Sequence, residues 1–149
     1  MNDDDLPYEG GCLCGTVRYR AVSPPVRAVI CHCPMCRRHS GAPALAFVHF
    51  RAEDFAWVRG APARYRSSAF AERGFCAACG STLSMHEAVL PDRVQVAAGS
   101  LDAPQRVRID DHVWTRHQLP WLRLDDGLPH FETASSAVPT RARDETGGG

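Results

Sequence analysis

The sequence predicts a mainly β domain with little helix. Three observations predict it. Short apolar/polar runs recur at roughly ten-residue spacing, no stretch sustains helical periodicity beyond about ten residues, and Gly, Pro and Ser punctuate the runs. With 12 Gly and 11 Pro among 149 residues, turns are well supplied. A chain of this length fits one domain, and burying roughly 68–70% of its unfolded surface leaves room for a core.

Residues 1–8 are acidic and polar and read as a flexible N-terminus. Over 16–22 the chain alternates, with Val17, Tyr19 and Ala21 on one face, as a half-buried strand does. Ser23-Pro24-Pro25 interrupts it, and 26–30 follows as a short strand delivering Cys31. Residues 34–40 (PMCRRHS) fit about two helical turns, because proline suits the first helical position, where its missing N–H costs nothing. Gly41 and Pro43 stop that helix, and 44–50 (ALAFVHF) reads as a buried strand. Further β runs are FAWVRG (55–60), RYRSSAF (64–70), STLSMH (81–86) and RVQVAAG (93–99). Residues 112–124 read as ordered and partly buried because they hold Trp114 and Trp121. Residues 132–149 lack a hydrophobic pattern and read as a disordered tail, which leaves a domain over 9–131.

The formal net charge is zero, from 17 basic and 17 acidic residues with seven histidines neutral. That balance argues against a nucleic-acid partner held by bulk electrostatics. No apolar run reaches the ~18 residues of a membrane span and MNDDDLPYEG has no secretory core, so a cytoplasmic protein without a membrane partner is expected. All 17 basic residues are arginine. A chain without lysine has no amine for a Schiff base or a pyridoxal cofactor, and none for a phosphate-binding P-loop. GxGxxG, GxSxG and HExxH are also absent.

The unusual feature is seven cysteines in three clusters: Cys12 and Cys14; Cys31, Cys33 and Cys36; Cys76 and Cys79. An odd number cannot pair completely into disulfides, and without a secretion signal such clusters point to metal or redox chemistry. Cys76-Ala77-Ala78-Cys79-Gly80 has the form of a zinc knuckle, a tight turn whose glycine adopts positive φ freely. Two more ligands are needed, and Cys12-Leu13-Cys14, between Gly11 and Gly15, is the free pair. The central three form the pattern of a zinc with one open position, as in catalytic sites, whereas closed four-thiolate sets are structural. Spacing favours this four-plus-three partition; a set of Cys31, Cys33, Cys76 and Cys79 fits it as well.

The segments 10–17 (GGCLCGTV), 31–42 (CHCPMCRRHSGA) and 73–81 (RGFCAACGS) resemble, in order, the motifs of the glutathione-dependent formaldehyde-activating enzyme family, which includes centromere protein V. Residues 121–129 (WLRLDDGLP) are similar to that family's C-terminal end, so the resemblance runs from 8 to 131. It implies an Mss4-like fold of short, twisted β-sheets supported by zinc. It implies two Zn2+ per chain: a structural ion on Cys12, Cys14, Cys76 and Cys79, and a more exchangeable one on Cys31, Cys33 and Cys36, where catalysis is expected. The implied activity is carbon–sulfur lyase chemistry, the condensation of formaldehyde with glutathione to S-(hydroxymethyl)glutathione. A small-molecule thiol and a small aldehyde are the implied partners.

The chemistry is consistent with the residues. A thiolate is the nucleophile in carbon–sulfur bond formation, and a free thiol is mostly protonated near neutral pH. Zinc with an open position lowers a bound thiol's pKa or polarises a carbonyl oxygen. Three thiolates leave the site negative, which Arg37, Arg38 and His39 would offset, and arginine forks suit glutathione's carboxylates. Two other classes compete. A non-catalytic, zinc-stabilised binding module would close the second site with His32 or His39. A redox protein of the methionine sulfoxide reductase type would need a reactive cysteine outside the metal sets, and none is spare. His49, His86, His112, His117 and His130 read as surface or packing residues, and Trp57, Trp114 and Trp121 as core or rim aromatics.

Overall fold

A computed structural model describes residues 6–135. Its strands are β1 (Tyr8–Gly11), β2 (Arg18–Ala21), β3 (Arg27–Cys31), β4 (Leu45–Arg51), β5 (Phe55–Arg59), β6 (Ala63–Arg66), β7 (Ala71–Phe75), β8 (Thr82–Glu87), β9 (Arg93–Ala97) and β10 (Asp111–Val113), with one helix, α1 (Pro34–Ser40). The strands make a three-stranded sheet, β1-β2-β5, and a seven-stranded sheet, β10-β3-β4-β9-β8-β7-β6. Neighbours are antiparallel except β10, which runs parallel to β3 at the edge of the large sheet.

Period-two alternation sorts the apolar side chains to the two faces of the large sheet. Ala28, Val48, Phe50, Val94 and Val96 face the small sheet, where they pack against Tyr8, Tyr19 and Ala21. Val29, Cys31, Phe47, Met85 and Val113 face the other way, onto α1 and Trp114. The central strands are thus covered on both sides, which is why β4 reads as a nearly continuous apolar run. A third cluster, Cys12, Val17, Cys76 and Leu83, closes one end where the two sheets meet.

α1 forms as its sequence predicts. Proline occupies its first turn, Cys33 caps it by accepting the Cys36 N–H on Sγ at 3.3 Å, and Gly41 ends it at φ 77. Val17, Tyr19 and Ala21 are all buried on one face, as the alternation requires.

Four expectations are corrected. Tyr8 is no part of a loose terminus: it opens β1, is 2% exposed, and packs its ring against Phe50 under the Arg106 guanidinium. The run 64–70 is not one strand. Pairing stops at Arg66, and a turn in which Ser67 and Ser68 N–H both bond the Ala71 carbonyl sends the chain back as β7. Trp121 is 70% exposed, while Trp114 is buried on a left-handed backbone (φ 58). The ordered chain continues past residue 132, since Trp114 N–H bonds the Thr133 carbonyl at 2.9 Å and Ser135 is buried. Residues 1–5 and 136–149 of the expected flexible ends lie outside the described residues. Among the described residues no helix is long and apolar enough to cross a membrane.

Candidate functional site

Two turns of one design bring four thiols together. In the first, Cys12 N–H bonds Val17 O at 3.0 Å and Gly15 N–H bonds Cys12 O at 3.2 Å; in the second, Cys76 N–H bonds Ser81 O at 3.0 Å and Gly80 N–H bonds Cys76 O at 2.8 Å. Each turn needs a left-handed residue, supplied by Gly15 (φ 79) and Gly80 (φ 78). In each, the following hydroxyl lies against the preceding sulfur: Thr16 Oγ1 is 3.0 Å from Cys14 Sγ, and Ser81 Oγ is 3.1 Å from Cys79 Sγ. Leu13 N–H donates to Ser81 Oγ at 2.9 Å and locks the turns together. One turn joins β1 to β2 in the small sheet and the other joins β7 to β8 in the large sheet, so the thiols clamp the two sheets.

The sulfurs of Cys12, Cys14, Cys76 and Cys79 all lie within 4.8 Å of one another, with Cys12–Cys14 at 3.6 Å and Cys14–Cys76 at 3.8 Å. A tetrahedral zinc with Zn–S bonds of about 2.3 Å places its sulfurs about 3.8 Å apart. The clamp fits such an ion, and none of the seven cysteines is in a disulfide. The Ser81 hydroxyl, then the Ser81 and Cys14 amides, hold the Cys79 thiol down at about 5, so a ligand-competent thiolate is favoured there.

The trio is built differently. β3 ends at Cys31, Cys33 caps α1, and Cys36 lies one turn inside the helix, which puts all three sulfurs within 4.8 Å, Cys31 and Cys36 being 3.5 Å apart. All three are buried. Hydrogen bonds from the Cys31 and Cys36 thiols push Cys33 down to about 2, with the Cys36 amide and the Arg73 charge adding to them, while the same thiol contacts push Cys31 well up. The trio therefore carries one negative charge with ease and resists two more without a cation. Arg73, only 3% exposed, meets that charge: its Nη1 donates to Cys36 Sγ at 3.4 Å and its Nε to Ser67 Oγ at 3.1 Å. Burial works against the guanidinium, but its hydrogen bond to Cys36 and attraction to the negative charge shared by the three sulfurs outweigh it.

The cation at the trio is therefore not Arg37, Arg38 or His39, the residues expected from adjacency. Arg73 reaches it from β7, and its inward position in Ala71–Phe75 was the available signal. Arg38 and His39 instead line a cavity of about 310 Å3 together with Met35, Tyr65 and Arg73, so Arg73 spans from the trio to the cavity wall. A larger cavity of about 520 Å3, beside Arg51, Glu53 and Asp92, borders no cysteine.

Neither His32 nor His39 joins the trio. His32 turns its Nε2 to His112 Nδ1 at 2.9 Å, and His112 Nε2 meets Asp126 Oδ2 at 2.7 Å. Burial first, then the neighbouring His112 and His130, push His32 down to about 4, which keeps it neutral at pH 7. His112 and His130 are thus parts of a polar array, with rings 4.3 Å apart, rather than scattered packing residues.

The sequence pattern of the family described as glutathione-dependent formaldehyde-activating enzyme matches residues 7–117. A Halomonas elongata protein named as a candidate glutathione-dependent formaldehyde-activating enzyme is 30% identical, over 78% of this chain and 80% of its own. A Schizosaccharomyces pombe protein named as an uncharacterized lyase is 37% identical over 76 residues, which are 51% of this chain and 55% of that protein. The chain thus spans about half the length of this second relative. The crystal structure of a Rhodobacter sphaeroides protein superposes with a TM-score of 0.51 at 22% identity, covering 82% of this chain and 98% of that one, and shows a shared fold. The matched region contains both cysteine centres, and the chain belongs to the glutathione-dependent formaldehyde-activating enzyme family.

Proposed function

We propose that the protein is a zinc-dependent enzyme of the carbon–sulfur lyase type that joins formaldehyde, or a related small aldehyde, to a thiol such as glutathione. The observation that carries this reading is a buried set of three thiols, without a histidine completing it, linked by Arg73 to an arginine-lined cavity. The family and the names of the relatives support the substrate class, and the sulfur spacings support two zinc ions. Cys12, Cys14, Cys76 and Cys79 would hold the structural ion, and Cys31, Cys33 and Cys36 the second. The second ion would supply a Lewis acid that holds an incoming thiol as thiolate.

The chain's own residues do the rest. In the reaction the thiol sulfur bonds the aldehyde carbon, and the thiol's proton ends on the former carbonyl oxygen; the reverse is the elimination that a lyase performs. Arg73 offsets the charge of the thiolates through Cys36. Arg38 presents a second guanidinium to the cavity, suited to a carboxylate of the thiol compound, and Met35 and Tyr65 line the same cavity. Seven cysteines outside any disulfide suit a reducing compartment, so we place the protein in the cytoplasm.

The test is cobalt substitution. With cobalt in both centres, glutathione should shift the absorption of one and leave the other fixed, and formaldehyde should then shift the same bands again. Spectra indifferent to glutathione would overturn the reading in favour of a binding module with two closed sites.

A further inference from the structure

Among the described residues a third group of side chains has metal-ligand geometry, and it contains no sulfur: His112, Asp126 and His130 place one ligand atom each within 4.8 Å of the others. We propose that these three residues form a third metal site, a two-imidazole, one-carboxylate set for a first-row divalent cation of borderline softness such as Zn2+, Co2+ or Ni2+.

The array is built as metal sites are built. Metal-bound histidines are oriented by a partner on the other ring nitrogen, and here His32 Nε2 lies 2.9 Å from His112 Nδ1, which leaves His112 Nε2 for the site. His112 is fully buried, so its ring cannot turn away. Asp126 divides its oxygens: Oδ1 accepts the Leu128 N–H at 3.1 Å, while Oδ2 faces His112 Nε2 at 2.7 Å. A tetrahedral ion with bonds of about 2.0–2.1 Å holds two donors about 3.3–3.4 Å apart, so an ion would replace this hydrogen bond with a small outward shift of the Asp126 side chain, which is 34% exposed.

The backbone also fixes the third ligand. Gly127 takes φ 72, a turn for which a side chain is poorly suited. The chain then returns along β10: His112 N–H bonds Pro129 O and Phe131 N–H bonds His112 O, both at 2.9 Å. This bridge stations His130 beside His112 with its ring 4.3 Å away. Asp126 and His130 are exposed, so water can fill the remaining coordination positions. Two neutral imidazoles and one carboxylate leave a bound divalent ion with net positive charge, unlike the thiolate centres. A hydrogen bond that merely pins the 126–131 turn would need His112 and Asp126 alone; it would not need His130.

Cobalt titration of the folded protein, with Co2+ exchanged into its thiolate centres, separates this site from the cysteines, because only thiolate ligands give the intense near-ultraviolet sulfur-to-cobalt band. The expected result is one further equivalent of Co2+ per chain bound after that band has reached its plateau. Asp126→Asn and His130→Ala should each weaken the extra equivalent at least tenfold, leave the near-ultraviolet plateau unchanged, and retain the wild-type circular dichroism. His117→Ala, outside the array, should leave all equivalents in place. Binding that ends at the plateau in the wild type, or an extra equivalent that survives both substitutions, overturns the proposal. The readout is independent of thiol or aldehyde turnover.

Discussion

The clamp and the trio use one kind of side chain for opposite ends. The clamp draws Cys12 and Cys14 from one hairpin and Cys76 and Cys79 from another, Cys14 and Cys76 being 62 positions apart. The trio lies within six consecutive residues, at the end of β3 and the start of α1. An ion in the clamp closes a long loop and fastens two sheets, so its binding energy is folding energy. An ion in the trio closes almost no loop, and the helix it sits on is already capped by Cys33, proline and Gly41. On the proposed assignment, sequence separation, more than ligand chemistry, would decide which centre is free to exchange ligands.

The largest expected effect is at the clamp. A structural zinc contributes about 10–16 kcal/mol of apparent binding energy in small peptides, against a usual total stability of about 5–15 kcal/mol. Cys76→Ser is therefore expected to leave the protein unfolded or insoluble at 25 °C, as read by circular dichroism and by the soluble fraction. A wild-type melting curve would remove the clamp's role.

Cys36→Ser should do less to the fold and more to the chemistry. It is expected to lose one zinc of the thiolate pair and all thiol-dependent turnover above the spontaneous reaction. Imperfect partners for the buried hydroxyl cost about 1–3 kcal/mol. Metal analysis and a melting curve check this. If Cys36→Ser melts as low as Cys76→Ser, the two centres do not differ in role.

A matched pair of glycines gives the finest test. Gly80 in the clamp and Gly41 at the end of α1 have nearly equal φ, 78 and 77, and a Cβ at either would meet nothing within 4 Å. The left-handed backbone should cost either alanine variant about 1 kcal/mol. Only Gly80→Ala should also speed release of the slowly exchanging zinc to a chelator. Equal release from both variants would mean that the clamp turn is not what holds that ion.

Much of this was legible beforehand where the signal is local. Cysteine spacing, the proline-started helix with its terminal glycine, and the alternation of Val17, Tyr19 and Ala21 each lie within a few residues, and each matches the structure. What escaped was non-local or masked. Tyr8–Gly11 is short and half glycine, so it reads as a linker until Arg18–Ala21 pairs with it. Ala71–Phe75 stands directly before a cysteine knuckle and carries a charged residue at a buried position, because Arg73 answers the trio rather than solvent. The His32–His112–Asp126 chain joins positions 80 and 14 apart, and no sequence window spans that distance.

The separation of the clamp's halves also sets a clock. During synthesis, the segment holding Cys31, Cys33 and Cys36 emerges whole, and it can capture an ion as soon as α1 forms. The clamp must wait for Cys79, 43 residues later. At roughly 5–20 residues per second that wait lasts about 2–9 s. Throughout it Cys12 and Cys14 stand as an incomplete pair, beside a trio that could already hold an ion. On the proposed assignment the first ion the chain acquires would be the one it holds less tightly, and the clamp would close only with the turn between β7 and β8.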